Sequence, residues 1–303
     1  SVPNLPRDNA PLSQKSLVRL QTWMWRNTDV AQFIEWLRDH NEQRPMEQRC
    51  AFLGLDLYST NRSILKVLEF LDKKAPELAA EARARYARLL PLSTEPELYG
   101  LAVMTGQFRS VEKEVTEELK ALLAKQLELS TKGGAFGWFN ATENARVVKD
   151  SEEYYRHMYH GELSTWNLRD THMMRTLEQA IKFFNGAKVV VWAHNSHIGN
   201  AEFTEMSARG EINIGHLCRE KFGANAFLIG FGTHTGTVMA AHSWGTDGVV
   251  QDVRPSLTGS HERLMHETGV PRFTLPLRHL TDKALLDELC KERLERAELA
   301  QER

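Results

Sequence analysis

Two imidazoles three residues apart, His194 and His197, stand in KVVVWAHNSHIGN at 188–200, where a β-branched run meets a polar loop. Three chemistries suit that pattern. A metal site needs a third protein ligand and an open coordination position, which Asp56 or His234 could supply, but an H-x-x-H loop alone is a weak metal signal. A nucleophile with its base would use Ser196. A nucleophile elbow needs glycines two residues to either side, and here those positions hold His194 and Ile198. That excludes Ser196. Acid/base work fits best, because a free imidazole titrates at about 6.5 and a small shift makes it useful near neutrality. The bland alternative is that one histidine packs and the other caps the next helix. Spacing alone leaves those two open.

Other residues join the candidate set by type and position. Asp56 ends the apolar run AFLGLD and is the first carboxylate candidate. Asn167, Arg169 and Asp170 stand together in WNLRD; they suit either helix capping with a local ion pair or an arginine that polarises a carbonyl. Asn195 lies between the two histidines as a candidate for substrate contact, and His234 stands in GFGTHTGTV. Trp23 and Trp25 in TWMWRN read as core packing, or as aromatic walls for a large apolar ligand. GFGTHTGT lacks the spacing and the Gly-Lys-Ser/Thr ending of a phosphate loop, and no cofactor and no metal is expected.

The elements that would position these residues are apolar runs alternating with amphipathic helices. AFLGLD, KVVVW and AFLIGF read as buried strands ending in Asp56, in His194 and His197, and in Thr233 and His234. The predicted fold is therefore α/β, a mostly parallel central sheet flanked by helices with a long helical insertion. Ligands of such sheets sit beyond the carboxyl ends of the strands, so the three loops are expected to converge on one pocket. The predicted organisation is an α/β core over 1–60 and 131–280, a helical insertion over 61–130, and a charged C-terminal helix over 281–303. TKGGAFGW at 131–138 is the clearest internal break.

With 38 basic and 40 acidic side chains the formal charge is -2, which makes no case for nucleic acid or an anionic membrane as partner. Three scattered cysteines without a CxxC pairing fit a reduced, cytoplasmic setting. No apolar run approaches a membrane span of about 20 residues.

In order along the chain, TWMWRN, FLGLDLYS, WFNATENARVVKDSEEYYRHMY, WNLRDTHMMRTL, VVVWAHNSHIG and GFGTHTGTV resemble the erythromycin esterase family, from about residue 15 to about 278. The resemblance implies a deep cleft and, in resistance members, water opening a macrolide lactone by general base catalysis without a covalent intermediate. It implies that His194 and His197 line the site, with Asn167, Arg169 and Asp170 nearby. The family's general-base histidine lies in an N-terminal GE-x-(T/S)HG motif that this sequence lacks; its THTG at 233–236 belongs to another motif. The chain is thus expected to begin just after that segment, and loss of N-terminal strands would explain a sparse sheet. Its end, ERLERAELAQER, also departs from a Tyr-Arg-Pro-Glu run. The expected activity is hydrolysis of a small-molecule ester or lactone. The alternatives are a non-catalytic, ligand-binding relative and a His-ligated metallohydrolase.

Overall fold

Apolar residues at 64, 67, 68 and 71 recur at helical spacing, and they turn one face of a helix over Thr60–Lys74 into the core. Its outer face carries Glu69 between Lys66 and Lys73, at 2.8 and 2.9 Å. The computed structural model describes residues 22–25, 27–160, 162–242 and 247–291, without the side chains of 22, 23 and 162–164; the charged segment beyond 291 lies outside them. In chain order the helices are α1 (Thr22–Trp25), α2 (Thr28–Glu42), α3 (Thr60–Lys74), α4 (Pro76–Tyr86), α5 (Pro96–Met104), α6 (Glu112–Ala124) and α7 (Gln126–Gly133). They continue as α8 (Ala135–His157), α9 (Glu162–Phe183), α10 (Asn195–Ile198), α11 (Glu205–Ala208) and α12 (Ile214–Phe222). Strands β1 (Gly236–Ala241) and β2 (Gly248–Val253) precede α13 (His261–Glu267) and α14 (Lys283–Leu289). None of the described helices is long and apolar enough to cross a membrane.

The expected parallel sheet is not there. Among the described residues the one sheet is the antiparallel pair β1–β2, in register from Gly236 opposite Val253 to Ala241 opposite Gly248. The protein is of the helical class. The three runs read as parallel strands, 51–56, 188–192 and 226–231, form no ladder, and many of their apolar side chains face outward. Phe52 is 61% exposed, Val190 94% and Ile229 65%. Apolar, β-branched composition expresses a preference for burial and extended backbone, but a parallel strand exists only where a neighbour supplies the ladder. The runs still contribute Leu55 and Val191 to a small core around Met173, Met174, Leu177 and Ile214.

The described residues divide into two compact units, 51–230, and 22–50 with 231–291. In the first, α8 is the central helix. Ile64, Leu71, Tyr86, Tyr99, Val115 and Leu122, from α3 to α6, share one core with its Val148. Each such side chain contributes about 1.5–3 kcal/mol on burial. The glycine break serves this packing. Gly134 takes φ +76 at the corner between α7 and α8, and a Cβ on Gly133 would stand 2.5 Å from the Phe70 ring. Two buried polar ties fix the neighbours of α8: Glu152 accepts from Tyr99, Ser110 and Arg156, and Asp150 holds His172 of α9 at 2.7 Å.

In the second unit α1 lies beside the β1–β2 pair, and α2 is capped by Asn27, whose side chain accepts from Val30 N–H. The extended backbone of Asn27 aims its carboxamide at the first free N–H groups of the helix.

Candidate active site

Helix α9 is the spine of the site. Positions 166, 167 and 170 face the chain between Gly210 and Ile214, and Arg169 reaches back to Asp56. Trp166 Nε1 donates to the Ile212 carbonyl at 2.7 Å. The Asn167 carboxamide donates to Gly210 O at 3.0 Å and accepts from Ile212 N at 2.9 Å. Asp170, fully buried, accepts from the Ile214 N–H at 2.8 Å at the start of α12. The WNLRD residues thus lie inside a helix, and their partners are far away in sequence.

The same Asp170 carboxylate lies 2.9 and 3.0 Å from Nδ1 of His197. An ionised carboxylate only accepts, so Nδ1 carries the hydrogen and Nε2 is the basic nitrogen of the neutral ring. Trp166 lies parallel to the imidazole, with ring centroids 4.7 Å apart and planes 4° apart. Hydrogen bonding and stacking together fix the plane of His197, which is 7% exposed.

His197 sits on the single turn α10, pressed against the start of α12. Asn213 ties the two together: its Nδ2 donates to Ser196 O at 2.8 Å while its Oδ1 caps α12 through His216 N–H at 2.8 Å. Gly215 allows the close approach. A Cβ there would lie 1.9 Å from Gly199 O and 2.5 Å from Ile198 O. His194 begins α10, its Nδ1 accepting from Ser196 N–H at 3.3 Å with the Ser196 hydroxyl 3.0 Å away. The bland reading of the pair, one histidine as cap and one packed, is thereby also satisfied. What it did not anticipate is the carboxylate behind His197.

Arg169 is held by Asp56 through Nε at 3.0 and 3.2 Å and through Nη2 at 2.6 Å, across 113 residues of sequence. Its guanidinium lies over the Tyr58 ring, 4.8 Å from the centroid, and the Tyr58 hydroxyl meets that of Tyr154 at 3.3 Å. Burial alone would raise the Asp56 carboxyl. The Arg169 guanidinium, the Leu57 N–H and nearby His197 outweigh it and hold the group below the ordinary carboxylate range. Burial likewise opposes the charge on Arg169, and Asp56 overrides it upward. Burial pushes the Tyr58 hydroxyl up despite Arg169. The pair is thus a fixed zwitterion beside His197.

The first unit therefore brings together Asp56, Asn167, Arg169, Asp170, His194 and His197, with Asn195 exposed on α10. His234 and Trp25 belong to the second unit. There His234 Nδ1 meets Ser256 Oγ at 2.7 Å, and its ring stacks on His266 at 3.5 Å. Among the described residues no three His, Cys, Asp or Glu side chains are grouped to hold a metal. Sequence reasoning missed Trp166 and Tyr58, although both stand in the motifs WNLRD and FLGLDLYS. It also missed Asn213 and Gly215, for which no motif offered a signal.

A family model described as erythromycin esterase matches residues 4–298. Among solved structures, one titled a succinoglycan biosynthesis protein superposes with TM-score 0.65 at 19% identity, covering 80% of this chain and 57% of its own. A Bacillus cereus protein gives 0.73 at 14% identity, covering 89% and 64%. A mutant of erythromycin esterase EreC in its open conformation gives 0.57 at 15%, covering 79% and 62%. At these identities the likeness concerns the fold alone, and this chain spans less than two thirds of each of those structures.

Proposed function

The chain belongs to the erythromycin esterase family, and from that premise we propose that it hydrolyses an uncharged ester or macrolide-like lactone by His acid/base catalysis, without a covalent intermediate. His197 Nε2 takes a proton from water as the water oxygen adds to the acyl carbon. The carbonyl π electrons move onto oxygen. When the tetrahedral intermediate collapses, the acyl C–O bond breaks and the departing oxygen receives the proton from the imidazolium. His194, exposed on the same turn, is the second acid/base or oxyanion-polarising group.

The observation that carries this reading is the buried Asp170 carboxylate on His197 Nδ1, which selects the tautomer with a basic Nε2 and stabilises the cation formed during the reaction. Asp170 acts through His197. Asn167 acts through the 210–212 backbone that it holds. Arg169 and Asp56 neutralise each other, so this arginine is not left to clamp an anionic substrate, and a neutral ester is the class that suits the pair.

A second reading, a ligand-binding relative without turnover, draws on a specific observation: Asp170 also secures Ile214, and His194 caps its own turn, so both have structural work. Hydrolysis of p-nitrophenyl esters and of a macrolide, measured alongside macrolide binding, separates the two. Turnover lost in His197→Ala with binding retained supports the hydrolase. Binding without turnover in the unaltered chain supports the second reading, and undiminished turnover in His197→Ala removes His197 from the reaction.

A further inference from the structure

The second unit carries a nucleophile and base that the esterase reading does not use. Cys50 is exposed, and its Sγ lies 3.8 Å from Nε2 of His40 near the end of α2. The geometry is held from both sides. Asn41, next to His40, receives the Cys50 N–H at 2.8 Å and donates to the Cys50 carbonyl at 2.9 Å, which fixes the thiol's backbone against the helix. On the other side the indole of Trp36 lies against the His40 ring, centroids 5.1 Å apart, and Arg44 donates to the His40 carbonyl at 3.0 Å. A thiol, a base within reach of its proton, and a third group orienting the base make up an activated nucleophile.

The other two cysteines lack one or more of these features. Cys218 is half-buried beside Met174 Sδ at 3.8 Å, and burial pushes its thiol up to about 11. Cys290 is exposed at the end of α14, with no imidazole placed against it among the described residues.

We propose that Cys50, with His40 as its base, is a modification site that takes low-molecular-weight disulfides. In the step, Cys50 sulfur attacks one sulfur of the reagent disulfide while His40 Nε2 accepts the thiol proton. The reagent S–S bond breaks, a mixed disulfide forms on Cys50, and the departing thiolate takes the proton from His40. Cys50 sulfur is oxidised, the leaving sulfur is reduced, and no further oxidant is needed. The site is independent of the hydrolase reading.

The test treats the full chain with glutathione disulfide and follows the mass of each cysteine-containing peptide against time. Cys290 serves as the exposed control within the same molecule. Cys50 is expected to be modified about tenfold faster than Cys290, a modest share of what a positioned base contributes. His40→Phe keeps a ring against Trp36 and removes the nitrogen; it should bring Cys50 down to the Cys290 rate and leave Cys290 unchanged. His40→Gln gives the same comparison if the phenylalanine variant folds poorly. Equal rates at Cys50 and Cys290 in the unaltered chain overturn the proposal, as does an undiminished Cys50 rate in both variants.

Discussion

Replacing Asp170 by Asn preserves shape but removes one acceptor and the charge. Asp170 serves two buried donors, the Ile214 N–H at 2.8 Å and His197 Nδ1 at 2.9 Å. With the carboxamide oxygen on Ile214, the NH2 group takes the place of the carboxylate oxygen 2.9 Å from His197 Nδ1, where a donor then faces a donor unless the ring changes tautomer, at a cost of about 1–3 kcal/mol. The imidazole then moves its hydrogen to Nε2, where no lone pair remains for water. Asp170→Asn should therefore fold with a stability loss of about 1–3 kcal/mol, yet lose roughly 10³–10⁴ in kcat with KM little changed, the size of effect when a buried carboxylate no longer sets a catalytic imidazole's tautomer. Asp170→Ala strands both donors and should cost about 2–6 kcal/mol. Urea unfolding and ester hydrolysis on the same preparations separate the two effects. A folded Asp170→Asn protein that keeps ester turnover within about threefold of the unaltered chain would refute the tautomer argument.

Three further outcomes follow from the same contacts. Gly215→Ala places a Cβ 1.9 Å from Gly199 O and should force α12 off the His197 turn, costing about 1–3 kcal/mol against a helix gain of about 1, with a loss near 10²-fold in turnover. A rise in melting temperature would show that the turn yields freely. Glu152→Ala leaves Tyr99, Ser110 and Arg156 without their shared acceptor, so the urea midpoint should fall by the equivalent of about 3–5 kcal/mol, and an unmoved midpoint would contradict its role as a tie. The depressed Asp56 carboxyl stabilises the fold above its unfolded value of about 3.9, and that contribution disappears as pH falls through the lower folded value. The stability difference between the unaltered chain and Asp56→Asn should accordingly be constant near neutrality and shrink below about pH 4; thermal unfolding that shows a difference independent of pH would speak against the Arg169 pairing.

The helices were legible because a period of 3.6 repeats over several turns: Ile64, Leu68 and Leu71 are buried on one face of α3. The sheet was misread because composition carries no information about partners. Phe52, Val190 and Ile229 have strand-like chemistry and still stand exposed on runs without a ladder, while the hairpin that does form begins only at Gly236. For the site, His194, His197 and the WNLRD residues could be singled out from residue type and local motif. Their connections could not. Asp170 meets His197 across 27 residues and Asp56 meets Arg169 across 113, and spacing along a chain does not reveal contacts made by folding. Trp166 has no titratable group to single it out in WNLRD, yet its parallel ring restrains the imidazole.

In the proposed hydrolysis His197, oriented by Asp170, exchanges the proton, and kcat/KM for ester hydrolysis by the unaltered chain and by His197→Gln, with folding verified by urea unfolding, tests that role. A loss of at least about 10²-fold is expected, the low end of what a positioned acid/base group contributes. A folded His197→Gln protein that hydrolyses the ester at the unaltered rate would contradict it.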